Sequence, residues 1–138
     1  MSVSTTLRLW MMAFSAMLLL PSQAELAPSA YRDMQSRAPE VIQIQITARK
    51  SSRLGFLNFS GDRNERLEAS VLSVTRSKSG LKAGDKITIT YLHKKLRGVG
   101  PRPIPKLTNG GTYPAWLTRD AEGTYSPAAR GASFSIVN

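Results

Sequence analysis

Residues 86–93 read KITITYLH, and they alternate apolar and polar side chains more strictly than any other stretch of the chain. Ile87, Ile89 and Tyr91 share one face, and threonines occupy the other. A period of two built from β-branched residues is typical of a strand with one buried face. This stretch therefore predicts a β-strand, and its neighbours decide whether the whole fold is β.

Similar strand patterns occur on both sides of it. Residues 42–46 alternate isoleucine with glutamine, and residues 67–75 carry apolar side chains on both faces, as a central, curved strand would. Further strands are predicted over residues 112–118 and 133–137. No long amphipathic helix is apparent, so we expect an all-β fold, a small antiparallel barrel or sandwich of five to six strands over residues 40–138.

Two segments carry special backbone expectations. Pro114 cannot donate a ladder hydrogen bond, so its strand should lie at an edge or contain a bulge. Residues 125–134 are rich in alanine and glycine, and we expect them to fold as a tight loop over one end of the barrel.

The first 24 residues predict a secretory signal peptide. Arg8 precedes an apolar run, Leu9 to Leu20, that is shorter than a membrane span, and Ser22 and Ala24 form a cleavage-like site. No later segment is apolar enough to cross a membrane. Residues 25–39 are then expected to form a loose N-terminal lead with one helical turn.

Absent cysteines and scarce histidines restrict both location and chemistry. The chain has no cysteine, which favours a bacterial periplasmic or secreted protein over a disulfide-stabilised eukaryotic one. One histidine and no cysteine give no recognisable ligand set, so neither a metal nor another cofactor is expected. No G-x-S-x-G elbow is present, and the lone His93 lies beside two lysines. We therefore predict that the protein is not an enzyme, and a hydrolase that uses His93 ranks last among the hypotheses.

The positive charge is concentrated in one region. The formal net charge is +10, and residues 76–106 contain nine cations and one anion. Within this region residues 94–106, which we call the basic loop, hold three prolines in five positions, which favour a stiff extended backbone. Such a field attracts an acidic protein or an anionic envelope component, a lipid head group or a glycan, while the predicted compartment argues against nucleic acid. A solvated surface that serves solubility remains the alternative.

The predicted partner-binding site combines the basic loop with residues from the following strand. The loop residues are Lys94, Lys95, Arg97, Arg102 and Lys106, and those from the strand region are Tyr113, Trp116 and Arg119.

Residues 67–91, LEASVLSVTRSKSGLKAGDKITITY, and residues 110–125, GGTYPAWLTRDAEGTY, resemble the netrin-like family, which includes the tissue inhibitors of metalloproteinases. The matching residues are Ala69, Val71, Leu72, Val74, Leu81, Lys82, Gly84, Asp85, Ile87, Ile89, Gly110, Tyr113, Leu117, Gly123 and Tyr125. The resemblance implies a five-stranded OB barrel. It also suggests an alternative function, the inhibition of a periplasmic enzyme of protease or lysozyme type. Those inhibitors chelate zinc through an N-terminal cysteine that this chain lacks, so that mechanism does not carry over.

Overall fold

The computed structural model describes residues 25–55, 60–95 and 100–138. The predicted signal peptide and Arg97 lie outside the described residues. The described residues form one helix, five strands and one 3₁₀ turn. These are α1 (Pro28–Arg37), β1 (Glu40–Arg53), β2 (Arg63–Ser77), β3 (Lys86–His93), β4 (Thr112–Arg119), β5 (Tyr125–Pro127) and the 3₁₀ turn Arg130–Ala132.

The strands close into a barrel in the order β1-β2-β3-β5-β4. The first three form a meander, and β4 returns to lie beside β1, which is the Greek-key arrangement. The prediction of a small all-β barrel is confirmed, but the prediction that every strand pair is antiparallel is wrong. A closed ring with an odd number of strands cannot alternate direction throughout, and the parallel contact lies between β3 and β5, at Ile89 and Tyr125.

The inward rows of the barrel form the core. In β3, Ile87 and Ile89 are buried as their alternation predicts, and burial of such a side chain stabilises the fold by about 1.5–3 kcal/mol. Residues outside the regular strands complete this core. The buried core members are Ile42, Ile44, Ile46, Leu67, Ala69, Val71, Ile87, Ile89, Leu107, Ala115, Leu117, Tyr125 and Phe134.

The predicted last strand, residues 133–137, is wrong. The Ser133 hydroxyl accepts the N–H of Ala129 at 2.9 Å, and the Ser133 N–H donates to the carbonyl of Arg130 at 3.0 Å, so this segment closes on itself as a turn. Phe134 enters the core from that turn. The closing strand is instead β5, which pairs with β4 at Leu117–Arg119.

The expectation for Pro114 agrees with the local pairing of β4. The N–H of Trp116 points away from β1, because it donates to the Ser133 carbonyl at 2.9 Å. Position 114 has the same parity, so its missing N–H also faces away from β1, before the β4–β5 ladder begins at Leu117. Pro114 therefore removes no bond from the β1–β4 ladder.

The N-terminal lead is more ordered than expected. Pro28 opens α1, a ten-residue helix in place of the single predicted turn. Arg76 of β2 donates to the carbonyls of Gln35, Ser36 and Ala38 at 2.7–3.2 Å, which satisfies the C-terminal end of the helix. The buried Gln35 amide donates to the carbonyls of Ala132 and Ser135, each at 2.8 Å. Partners distant in sequence therefore hold the helix on the barrel.

No helix among the described residues has the length and apolar character needed to cross a bilayer.

Candidate functional site: a basic cleft beside β3

The barrel is weakly joined between β3 and β5. Their ladder consists of one bridge, Ile89–Tyr125, and two residues further along β5 lies Pro127. The N–H of Ala128 bonds Trp116 of β4 at 2.9 Å, so the alternate position, 127, faces β3. Proline has no N–H to give there, and the ladder does not continue.

A cleft of about 630 Å³ opens at this point, and we call it the β3–β5 cleft. One wall is the end of β3, residues 91–93, together with Lys94 and Lys95. The other wall is the part of the basic loop from Gly100 to Ile104, with Pro127, Arg130 and Gly131. The size suits a small ligand or a few residues of a peptide.

The central part of the basic loop is anchored to the body of the protein. The buried Tyr31 of α1 accepts the backbone N–H of Arg102 at 2.9 Å, and its ring lies 5.7 Å from the Arg102 guanidinium carbon. On the other side Gly131 touches the Arg102 backbone so closely that an added Cβ would lie 2.6 Å from the Arg102 carbonyl carbon. The prediction of a tight loop over residues 125–134 is wrong at Tyr125–Pro127, which form β5, but the close packing at Gly131 agrees with it.

Four cations line the cleft. Lys94, Lys95, Arg102 and Arg130 are all exposed. Asp62 is the one acidic residue among the described residues that line it, and its carboxylate accepts the backbone N–H of Lys95 at 3.1 Å. The Arg102 side chain also pairs with Glu25 at 3.1 Å, and both groups are about half exposed. Positive charge therefore dominates the walls.

Arg130 has an unusual backbone. Its φ is +47°, a left-handed conformation that non-glycine residues rarely adopt. Such a residue costs about 1–3 kcal/mol and persists only where its surroundings hold it. The 3₁₀ turn and the contact between Gly131 and Arg102 supply that support, and Arg130 lines the cleft from this turn.

The structure does not bring all the predicted site residues together. Lys94, Lys95 and Arg102 line the β3–β5 cleft. Of the others, Lys106 lies in a separate depression beside Arg49.

The remaining three predicted residues have other neighbours. Tyr113 accepts the N–H of Thr108 at 3.1 Å in the turn before β4. Trp116 lies in a depression with α1 and Arg76, and Arg119 lies against the turn at Gly123. β4 is two strands away from β3 in the barrel order, so its side chains do not extend the cleft.

Sequence reasoning missed Arg130 and Asp62, and it considered His93 only for the hydrolase that it ranked last. Arg130 is the one cation in the small-residue segment 125–134, and that segment was expected to cover a barrel end. The combination of a lone arginine with a tight loop was the available signal. Its distance of 36 residues from Lys94 along the chain hid the contact.

A buried ion pair lies beside the cleft wall. The Glu65 carboxylate, whose side chain is 1% exposed, accepts bonds from Arg49 Nε and Nη2 at 2.8 and 2.9 Å and from the Ser51 hydroxyl at 2.7 Å. Burial raises the pKa of Glu65, but the hydrogen bonds from Arg49 and Ser51 and the charge of Arg49 outweigh burial, so the net pKa is lowered. Opposite it in the ladder, burial and the nearby Glu65 charge raise the pKa of Tyr91 to about 12. Every polar atom of this carboxylate is engaged, which fits a structural role.

The cleft also contains the side chains that a hydrolase would need. Ser60, Asp62 and His93 line it. The Ser60 hydroxyl accepts the N–H of Asp62 at 3.2 Å, and the Asp62 carboxylate accepts the N–H of Lys95, so both take part in shaping the backbone. Among the described residues no group of three or more acidic or histidine side chains could hold a metal ion.

The chain matches no protein-family model, no curated protein and no solved structure. The resemblance to netrin-like proteins therefore stays a prediction, and the function has to be inferred from the cleft itself.

Proposed function

We propose that this protein is an exported, non-enzymatic binding module that holds an anionic partner in the β3–β5 cleft. The observation that carries the proposal is the convergence of Lys94, Lys95, Arg102 and Arg130 on one cleft from three separate parts of the chain. A solubilising charge needs no such convergence, because scattered cations serve solubility equally well.

The anchoring of the basic loop supports the same conclusion. Each side chain that a partner immobilises costs about 0.5–1.5 kcal/mol, and a disordered backbone would add to that cost. The backbone at Arg102 is held by Tyr31 and Gly131, and three prolines stiffen its surroundings. Folding therefore already fixes this part of the loop, so binding loses less conformational entropy and the electrostatic attraction contributes more to the affinity.

The fold and the composition support the rest of the proposal. A Greek-key barrel of five strands supports assignment of residues 40–138 to the OB-like class, whose members bind partners on one face and its bordering loops. The signal-like first 24 residues and the absence of cysteine support a bacterial periplasmic or secreted location. In that location the candidate partners are an acidic protein, an anionic lipid head group or an anionic glycan.

The test compares two charge-reversal variants of equal net charge. The cleft variant carries Lys94→Glu, Lys95→Glu and Arg130→Glu. The control carries the same change at Lys78, Lys82 and Lys86, which are exposed and lie outside the residues that line the cleft.

The measurement is retention on immobilised heparin and recovery of partners from a periplasmic extract, each at two salt concentrations. We expect the cleft variant to lose about tenfold or more in affinity, at roughly 0.2–1 kcal/mol for each exposed charge, and to lose salt dependence. The control should lose clearly less. Equal losses in both variants would mean that the charge acts as a general surface property and would refute the cleft as the site.

An inhibitor of a periplasmic enzyme of protease or lysozyme type is the second candidate. The observation that favours it is the rigid, exposed backbone of the basic loop, because an inhibitory loop gains affinity from preorganisation. Its test is the purified protein against a panel of periplasmic proteases and lysozymes. No inhibition at protein concentrations well above those of the enzymes would exclude it.

A further inference from the structure

The second half of β3 has a strand edge that faces the cleft. On one side β2 pairs with β3 along its whole length, from Lys86 to His93. On the other side the ladder recorded for the described residues is the single bridge at Ile89. Because the two strands are parallel, Ser126 and Pro127 lie beside Thr90 and Tyr91, and the backbone of β3 extends past β5 only after Tyr91.

The lining of the cleft indicates that this edge is accessible. Five consecutive residues, 91–95, line it. Consecutive strand residues point to opposite faces of a sheet, so a cavity that touches the face of a strand meets every second residue. A cavity that meets all of them lies against the edge, where the N–H and C=O groups are.

The described residues around this edge are poorly suited to complete it. Pro127 removes the N–H that β5 would direct at β3, and Pro101 and Pro103 remove two more donors from the opposite wall. An incompletely paired edge is a template for a further strand. The walls on both sides of it are prolines, aliphatic side chains and cations.

We propose that the anionic partner is an acidic peptide segment of another protein, bound in an extended conformation as an added strand along residues 92–95, from the end of β3 onward. The inference rests on the proposed function, since it uses the same cleft. Lys94, Lys95 and Arg130 attract the acidic side chains, and the exposed Leu92 and the half-buried Tyr91 and Ile104 receive apolar ones. The fit is to a peptide that alternates acidic and apolar residues.

The strand edge favours a peptide over the other anionic partners. A lipid head group or a sulfated glycan satisfies the cations, but neither offers donors and acceptors at the spacing of a strand, about 3.3 Å per residue. A peptide backbone offers both, and four residues span roughly 13 Å. Main-chain bonds then supply affinity and the side-chain pockets supply specificity.

The probe is a capped peptide of alternating glutamate and valine, used with the full exported protein. Two analogues carry N-methyl groups on alternate residues, one on the glutamates and the other on the valines, so that each analogue lacks the N–H groups of one edge. Charge is the same in all three. We expect the parent peptide to bind, one analogue to bind about tenfold more weakly because at least two hydrogen bonds are lost, and the other to be affected less. Amide hydrogen exchange of residues 92–95 should slow when the parent peptide is bound.

Three other outcomes would each refute a different claim. If both analogues bind as tightly as the parent, or exchange at residues 92–95 is unchanged, the ladder is refuted and the anion-binding function stands. If heparin or phosphatidylglycerol vesicles bind through the cleft cations and the parent peptide does not, the occupant is a glycan or lipid and the inference is wrong. If the cleft charge-reversal variant binds every probe as the unmodified protein does, the proposed function itself fails.

Discussion

Replacing Gly131 with alanine tests how the basic loop is held in place. An added Cβ would lie 2.6 Å from the Arg102 carbonyl carbon and 2.9 Å from the Arg102 Cβ, and real Cβ atoms do not approach so closely. Gly131 does not adopt a positive φ, so alanine brings no backbone strain and would by itself add about 0.4–1 kcal/mol of stability through the unfolded state. The overlap involves backbone, which cannot rotate away, and overpacking of this kind costs about 1–3 kcal/mol. The net expectation is a loss of about 1–2 kcal/mol.

Gly100 provides the matched control. It lies in the basic loop two residues before Arg102, its φ is not positive, and an added Cβ meets no atom within 4 Å. Gly100→Ala should therefore be neutral or slightly stabilising, by up to about 1 kcal/mol. Urea unfolding gives both free energies, and heparin retention reports on the loop. Gly131→Ala should weaken heparin retention at low temperature, where the variant is still folded. A Gly131→Ala protein as stable as Gly100→Ala would refute the close contact and the anchoring built on it.

Three further predictions concern the parts that support the cleft. Tyr31→Phe leaves the Arg102 N–H without its acceptor and should cost about 1 kcal/mol in urea unfolding while the ring remains; an unchanged free energy would contradict the anchoring bond. Glu65→Gln removes the charge that pairs with the partly exposed Arg49 and should cost about 1–3 kcal/mol at neutral pH. The folded-state pKa of Glu65 is lowered, so the stability that Glu65 contributes is present above its unfolded pKa, near 4.5, and is lost as pH falls through the folded pKa. The free energy of unfolding should therefore fall less steeply with acid in the variant than in the unmodified protein. Parallel curves for the two proteins would contradict this. Arg76→Met removes the bonds to the end of α1 and should reduce helical circular dichroism with little change in the β signal; an unchanged helical signal would show that the helix does not depend on that cap.

Local periodicity predicted the strands that have one buried and one exposed face. Ile87 and Ile89 are buried because a period of two places them on the same side, and no distant partner is needed to see this. The prediction of a strand at the end of the chain was wrong because the Ser133 side chain closes a turn, and Phe134 reaches the core without belonging to a strand. The length of the helix was underestimated because Arg76, which caps its C-terminal end, lies about 40 residues away in the sequence.

The candidate site was partly predictable because some of its cations are neighbours in the sequence. Lys94, Lys95 and Arg102 lie close together in the sequence, so the local excess of positive charge indicated them. Arg130 joined them only through the folding of the 3₁₀ turn against the basic loop. Trp116 does not line the cleft because the closed barrel places β4 away from it. The local sequence does not indicate how the barrel closes.

The most direct test of the central claim is a titration of the isotope-labelled protein with a short heparin fragment, followed by amide chemical shifts. The account predicts that the shifts concentrate at Lys94, Lys95, Arg102 and Arg130 and saturate together, with little change at Lys78, Lys82 and Lys86. Shifts spread evenly over both groups of cations would show that the cleft has no special affinity for anions, and would contradict the account.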